Sequence, residues 1–406
     1  MSDLIGFVSI ALVCLFTSYL VLVRGPEIFK IFLTGLVIRV IVLLLGHYIV
    51  ALPDTSADAD SFEVDAWNIA QNGFINLLDH YPGIQNSFYS WMISIPYSLF
   101  GRSVLMAQSI SLLFGLGCIF FGWKIANTLW DKYIAKKVAW TIALFPSLIL
   151  YSVITMKEVF VCFFLLLAIN YAILWTRTNN IKYVLLSLLG FLGATFFHGA
   201  MIAGAIIFLI IVGLYNLKKL FILLKNFRIS FNTILPILLI ILGSVFIFTN
   251  QVKIPKLGEI NRLLDPNFFN VKTIVSTKGE ASFPQWTTAK SFGELLYKVP
   301  IRSVYFTFSP FPWDVKKNVH IIGFLDSLLY FYLVFLIYRN REVIWKDPAL
   351  RIILIILLFY LIIFGIGVGN FGTGIRHRSK FVVLFILLAA PLLKKFVLKK
   401  NRIYRS

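Results

Sequence analysis

Apolar stretches of roughly 20 residues recur from end to end of this chain, and no other feature restricts its fold as much. A stretch of that length is what a helix needs to cross a bilayer. Inside hydrocarbon, every backbone polar group has to be satisfied within its own helix or within a closed barrel. The stretches fall at 4–23, 31–52, 104–125, 138–155, 159–175, 183–197, 200–217, 231–250, 320–338, 352–369 and a short 381–393. They predict an all-α polytopic integral membrane protein with about 11 transmembrane helices. A twelfth apolar run, 88–99, is too short to cross and is expected to be a re-entrant or interfacial helix. A composition of 59% hydrophobic against 14% charged residues leaves no segment from which a separate soluble domain could be built. Residues 1–406 therefore read as one transmembrane domain, with an acidic outer loop at 53–103, a basic and aromatic outer segment at 251–319 and a Gly- and Arg-rich outer loop at 370–380.

A net charge of +20 raises the question of nucleic acid, and its placement answers it. Segments 24–30, 124–137, 177–182, 218–228 and 339–351 and the tail 394–405 alternate with the other loops and hold 22 of the 38 Lys and Arg. That is the positive-inside bias of a cytoplasmic membrane protein, and no nucleic-acid partner is implied. It places the N-terminus, the acidic loop, the turn at 156–158, His198, segment 251–302 and loop 370–380 outside. The first run lacks a basic leader and is followed by Arg24, so it reads as a retained span. Cys14, Cys118 and Cys162 all lie inside spans, which excludes a disulfide framework and a thiolate metal cluster. No Walker or dinucleotide glycine motif occurs, so no nucleotide cofactor is implied.

The polar chemistry gathers on the outer face. Asp54, Asp58, Asp60, Glu63, Asp65 and Asp79 place six of the 18 carboxylates in one loop. Either this is a solvated loop or one of these acids is a catalytic base. Helical spacing beyond Asp60 sends the acids to different faces, so a single catalytic carboxylate is expected. Arg39, within a span but near its cytoplasmic end, reads as a snorkelling side chain. Pro146 should kink the fourth span, and Ser147, Tyr151, Ser152 and Thr155 give it a polar stripe ending at Lys157 and Glu158. In loop 370–380, three glycines let the backbone approach a ligand, and Arg376, His377, Arg378 and Lys380 supply cations for a phosphate. Interfacial anchoring is the plain alternative for those cations. Segment 251–302 is basic although it lies outside, which suits the phosphates of a lipid-linked substrate. His47, His80, His198, His320 and His377 all fall near the outer boundary.

This layout resembles the GT-C superfamily of polytopic glycosyltransferases of bacterial surface-polysaccharide assembly. The resemblance to GT-C rests on Asp58-Ala59-Asp60 in an early outer loop and on Phe145-Pro146-Ser147 with Ser152 and Lys157-Glu158, while the stretch from Asn370 to Arg378 and that from Phe308 to Trp313 resemble bacterial membrane proteins of surface-polysaccharide assembly. It implies a multi-pass enzyme of the inner membrane. The donor would be a polyprenyl-(pyro)phosphate-linked sugar and the acceptor a glycan or lipid-linked glycan, with membrane lipids around both. Asp60, or else Asp58, would be the general base of an inverting transfer, and Glu158 would orient Lys157. Lys157, Arg376, His377, Arg378 and Lys380 would hold the leaving phosphate. No metal site is assigned: a divalent cation on Asp58 and Asp60 stays open, but hard cations want about six oxygens. The alternatives are a repeat-unit polymerase of O-antigen, capsule or exopolysaccharide and, in another class, a lipid or polysaccharide transporter. Transport calls for ionisable groups at mid-membrane, where the sequence offers only Arg39 and Asp326.

Overall fold

A computed structural model describes residues 2–79, 81–83, 87–225 and 281–394, together with 235, 238, 253, 254, 258, 259 and 277. Helices α1 (Ser2–Arg24) and α2 (Phe29–Tyr48) form a hairpin. The acidic loop then leads through α3 (Asp60–Ala70) and α4 (Phe74–Asp79) to α5 (Phe88–Phe100) and α6 (Val104–Leu129). After α7 (Lys132–Leu144) and α8 (Pro146–Leu150) come a second hairpin, α9 (Glu158–Thr178) and α10 (Ile181–Phe197), and then α11 (Ile202–Lys225). The remainder is α12 (Phe292–Phe308), α13 (Asn318–Arg339), α14 (Arg341–Lys346), α15 (Pro348–Gly367), α16 (Phe371–Arg378) and α17 (Val382–Ala389). A two-residue ladder pairs Lys253–Ile254 with Gly258–Glu259. The α9–α10 hairpin turns on Asn179, at φ +53°, and Asn180, whose side chain accepts from the Lys182 N–H. Asn tolerates the left-handed region that this turn requires.

Among the described residues, seven helices are long and apolar enough to cross a membrane, so the chain is a polytopic membrane protein. The expected span at 231–250 lies, apart from residues 235 and 238, outside the described residues. Two further expected spans, 183–197 and 381–393, are apolar helices shorter than the seven. The expected span at 138–155 is corrected, because it is not one kinked helix. Its helix starts earlier, at Lys132, and stops at Leu144; Phe145 is extended, one short turn follows from Pro146, and residues 151–157 are irregular. Every residue of α17 is buried, which is why so apolar a segment can be short: it crosses protein, packed against α6, α7, α13 and α15.

Contacts between distant segments sort into two ends. At one end Tyr48 meets Asp3, Tyr151 meets Asp54, Arg376 meets Asp58, and Lys380 lies near Glu158. At the other, Lys132 pairs with Glu27, Arg177 with Asp347, and Lys137 donates to the Pro391 carbonyl. No segment expected on one side touches one expected on the other in these pairs.

Three fully buried arginines perform the same task at three helix ends. A helix leaves its last carbonyls without partners and carries partial negative charge there. Arg39 donates to the carbonyls of Ala143 (2.8 Å) and Ile142 (3.3 Å) at the end of α7, and to Ser152 Oγ (3.0 Å). Pro146 has no N–H to offer the Ile142 carbonyl, which is why a donor has to come from elsewhere. Arg302 caps α15 through the Gly365, Ile366 and Val368 carbonyls, and Arg378 caps α12 through those of Thr307 and Ser309. Arg39 therefore does not snorkel; a closer set of acceptors lies inside the bundle. Replacing Arg39 by Met is expected to destabilise the protein by about 1–3 kcal/mol for each orphaned carbonyl. Thermal unfolding of the purified chain measures this, and an unchanged midpoint contradicts the capping role.

Candidate functional site

The acidic loop is held in place from both ends. Asp54 sits at φ +65°, in the left-handed region that few residues other than Gly occupy, and its carboxylate accepts from Tyr151 Oη at 2.7 Å. A π-helical turn, Thr55–Ala59, carries Asp58 directly into α3. Such wide turns recur at functional sites, since they re-aim one side chain without ending the helix. Ala59, Glu63, Ala66 and Ala70 are buried at helical spacing, and this face packs on α5. There Glu63 accepts from Tyr97 Oη (2.8 Å) and takes two N–H groups of Arg102 (2.7 and 3.0 Å). Burial, and then the Glu63 charge, push the Tyr97 phenol well up, so it stays a donor. Glu63 is thus a structural acid, and it fixes the direction in which Asp58 faces.

The cations arrive on a helix. Residues 370–380 read from sequence as a Gly- and Arg-rich loop, but 371–378 form α16. Asn370 caps it, accepting from the Gly372 N–H (2.8 Å) and the Thr373 N–H (3.3 Å). Its entry is pinned where the Phe283 N–H donates to the Gly369 carbonyl (2.7 Å) and the Phe371 N–H to that of Ala281 (2.8 Å). Helical spacing then puts Arg376 and Lys380 on one side of the turn that follows, with Arg378 on another.

Glu158, in the first turn of α9, is the meeting point. A helix N-terminus favours its negative charge. Arg376 Nε and Lys380 Nζ each lie 3.4 Å from Glu158 Oε1, while Arg376 Nη1 pairs with Asp58. Lys380 Nζ donates to His377 Nδ1 at 2.8 Å, which puts the proton of a neutral His377 on Nε2. The His198 ring meets that of His377 edge-on at 5.0 Å and stacks on Phe364. Burial works against the Arg376 charge, but Glu158 and Asp58 more than offset it, and its pKa ends above the ordinary value. Charges thus alternate from the half-exposed Asp58 inward through Arg376 and Glu158 to Lys380, over three segments far apart in sequence. The inner part is loosely bonded. Both Glu158 oxygens and Arg376 Nε are buried without a hydrogen bond, and 3.4 Å exceeds the usual length for charged groups.

Beside this cluster opens a mostly apolar cavity of about 840 Å³. Its walls include Tyr151, His320, Leu325, Leu328 and Ile375, with Asp54 at one edge and Asp326 in the wall. A second cavity of about 480 Å³ shares Pro146 and Leu329 with it and continues along α13 to Leu333 and Lys394.

Of the residues singled out from sequence, Asp58, Glu158, Arg376, His377 and Lys380 come together. Asp60 does not join them: as the first residue of α3 it is exposed. Lys157 is buried with its ammonium 4.7 Å from the Phe62 ring centre. Arg378 turns to Asp326 (2.7 and 3.1 Å), Ser327 and the α12 carbonyls, so its donors are committed inside the bundle. Asp54, Tyr151 and His198 border the cluster although sequence reasoning gave them no role. Their signal was weak: Tyr151 stood in a polar stripe, and His198 ended an apolar run. His80 and most of residues 251–280, the first part of the basic segment 251–302, lie outside the described residues. Among the described residues, no group of three or more His, Cys, Asp or Glu side chains is placed to hold a metal ion. No protein-family model, no curated protein and no solved structure matches this chain.

Proposed function

We propose that this protein is a glycosyltransferase of bacterial surface-polysaccharide assembly. In this reading it lies in the cytoplasmic membrane with about 11 spans and uses polyprenyl-phosphate- or pyrophosphate-linked sugars at the outer face. One observation carries the reading: carboxylates and cations from distant segments meet in a partly unsatisfied cluster beside an apolar cavity. Sugar transfer from a lipid phosphate asks for a base, an anion site and a place for a lipid chain.

Asp58 takes the proton of the acceptor hydroxyl as that oxygen attacks the anomeric carbon. The bond from that carbon to the phosphate oxygen breaks, and the phosphate leaves with the electron pair. Arg376 and Lys380 stabilise the charge that develops there. Glu158 holds both cations in position before the donor binds, and His377 orients Lys380. Asp58 takes precedence over Asp60 because it is the acid that faces Arg376. Arg378 and Lys157 support the site from behind. A repeat-unit polymerase would use the same groups on two lipid-linked glycans.

Deleting the gene is expected to make the host accumulate a polyprenyl-linked sugar intermediate, seen by mass spectrometry of lipid extracts. The wild-type gene should clear it and an Arg376→Ala gene should not. Clearance by Arg376→Ala, or no accumulation at all, contradicts the proposal.

A further inference from the structure

In and around the cluster the charges cancel. The cations Lys157, Arg376 and Lys380 stand against the carboxylates Asp54, Asp58 and Glu158, and His377, whose Nδ1 accepts from Lys380, adds none. A phosphate arriving at Arg376 and Lys380 is attracted by these cations and repelled by acids at similar range, so little net attraction remains. One carboxylate has to withdraw for the anion to be held. Glu158 is buried in the first turn of α9, 3.4 Å from a nitrogen of each cation. Asp54 is tied to Tyr151 at 2.7 Å. Asp58 is half exposed, pairs with Arg376 Nη1, and rides on the π turn Thr55–Ala59 between the anchors at Asp54 and Glu63. A change of rotamer takes it off Arg376 while both anchors stay in place. The pair as it stands serves neither of its assigned roles. The Asp58 oxygen that meets Arg376 is not aimed at an acceptor hydroxyl, and the Nη1 that meets Asp58 is not aimed at a phosphate.

Resting on the glycosyltransferase reading, we infer that Asp58 is an exchangeable counterion: the phosphate of the lipid-linked donor displaces it from Arg376, and only the displaced carboxylate serves as the base. Binding is then ordered. The donor enters first and its phosphate takes Nη1. The swing of Asp58 leaves Arg376, Lys380 and Glu158 with net positive charge toward that phosphate. The acceptor hydroxyl meets the freed carboxylate second. After transfer Asp58 competes for Arg376 again and helps to expel the phosphate that is left.

The test is binding of undecaprenyl phosphate to the purified full chain, read by native mass spectrometry. A carboxylate that the phosphate must displace costs affinity. Asp58→Asn should therefore bind the lipid about tenfold tighter than the wild type, one order in the dissociation constant, although its transfer is slower. Asp60→Asn removes the same charge two residues on and should stay within about twofold of the wild type. In an Arg376→Gln background, adding Asp58→Asn should alter binding by no more than about twofold, because the contested guanidinium is gone. Unchanged or weaker binding by Asp58→Asn overturns the inference, since Asp58 and the phosphate then share Arg376. An equal gain from Asp60→Asn, or a gain that persists without Arg376, also overturns it and makes the loop a diffuse charge. Asp58 and Asp60 are both accessible enough to substitute without loss of the fold, so their comparison decides the matter even where Arg376→Gln does not accumulate. A wild type that binds undecaprenol as well as its phosphate overturns the glycosyltransferase reading itself. A preference for the phosphate with no gain in Asp58→Asn overturns the exchange alone.

Discussion

Asp58→Asn is expected to lower sugar transfer by about 10²- to 10⁴-fold, the range a general base contributes, while the protein inserts and accumulates as the wild type does. Asparagine keeps the size of the side chain, and the position is half exposed at the outer end of the cluster, with its own side chain 48% accessible. The change removes proton acceptance and the charge opposite Arg376, and little else. The neighbouring Asp60→Asn is the control. Asp60 is exposed at the start of α3, and its substitution should change the rate by no more than about twofold, the scale of a surface change. Transfer measured with each variant in membranes separates the two acids. Equal losses at both positions mean that the loop acts as a diffuse field of charge, and a loss at Asp60 alone would move the base there.

The second large effect is on stability. Arg378 and Asp326 form an ion pair inside the bundle, with Arg378 fully buried and Asp326 nearly so. Removing one member of such a pair leaves a charge with no solvent and no partner, at a cost of about 3–5 kcal/mol, whereas removing both is often far milder. Asp326→Leu and Arg378→Met should therefore each depress the unfolding midpoint severely, and the double variant should recover about half of the loss or more. Recovery stays incomplete because Arg378 also caps the Thr307 and Ser309 carbonyls, which leucine and methionine cannot serve. Additive losses in the double variant would show that the capping bonds alone, and not the ion pair, hold α16 to α12 and α13.

These particulars show what a sequence displays and what it hides. Apolar run length displays spans, because a helix in lipid must be apolar along its length. The acidic loop and the cations after Asn370 were visible for the same reason: charge at that end of a membrane helix stands out. Pairing was hidden. Arg376 and Arg378 look equivalent in sequence, and only the α16 cap at Asn370 turns one toward Glu158 and the other toward Asp326. Asp58 and Asp60 look equivalent too, until the π turn at 55–59 aims the first at Arg376 and leaves the second outside. The break between Leu144 and Glu158 was read as a kink, since Pro146 marks a bend but does not reveal that Arg39, 107 residues earlier in the chain, completes the bonds of an interrupted helix.

The most direct test of the central claim, that this cluster is a transferase centre at the outer face, is the size ladder of the host's surface polysaccharide. Strains would carry the gene deleted, restored as wild type, or restored as Asp58→Asn. The account predicts that deletion changes the ladder, that wild type restores it, and that Asp58→Asn, present in the membrane at normal level, leaves it as in the deletion. Repeats each lighter by one sugar identify a transferase, and collapse to a single repeat identifies the polymerase form of the same chemistry. A ladder unchanged by deletion, or one fully restored by Asp58→Asn, contradicts the account.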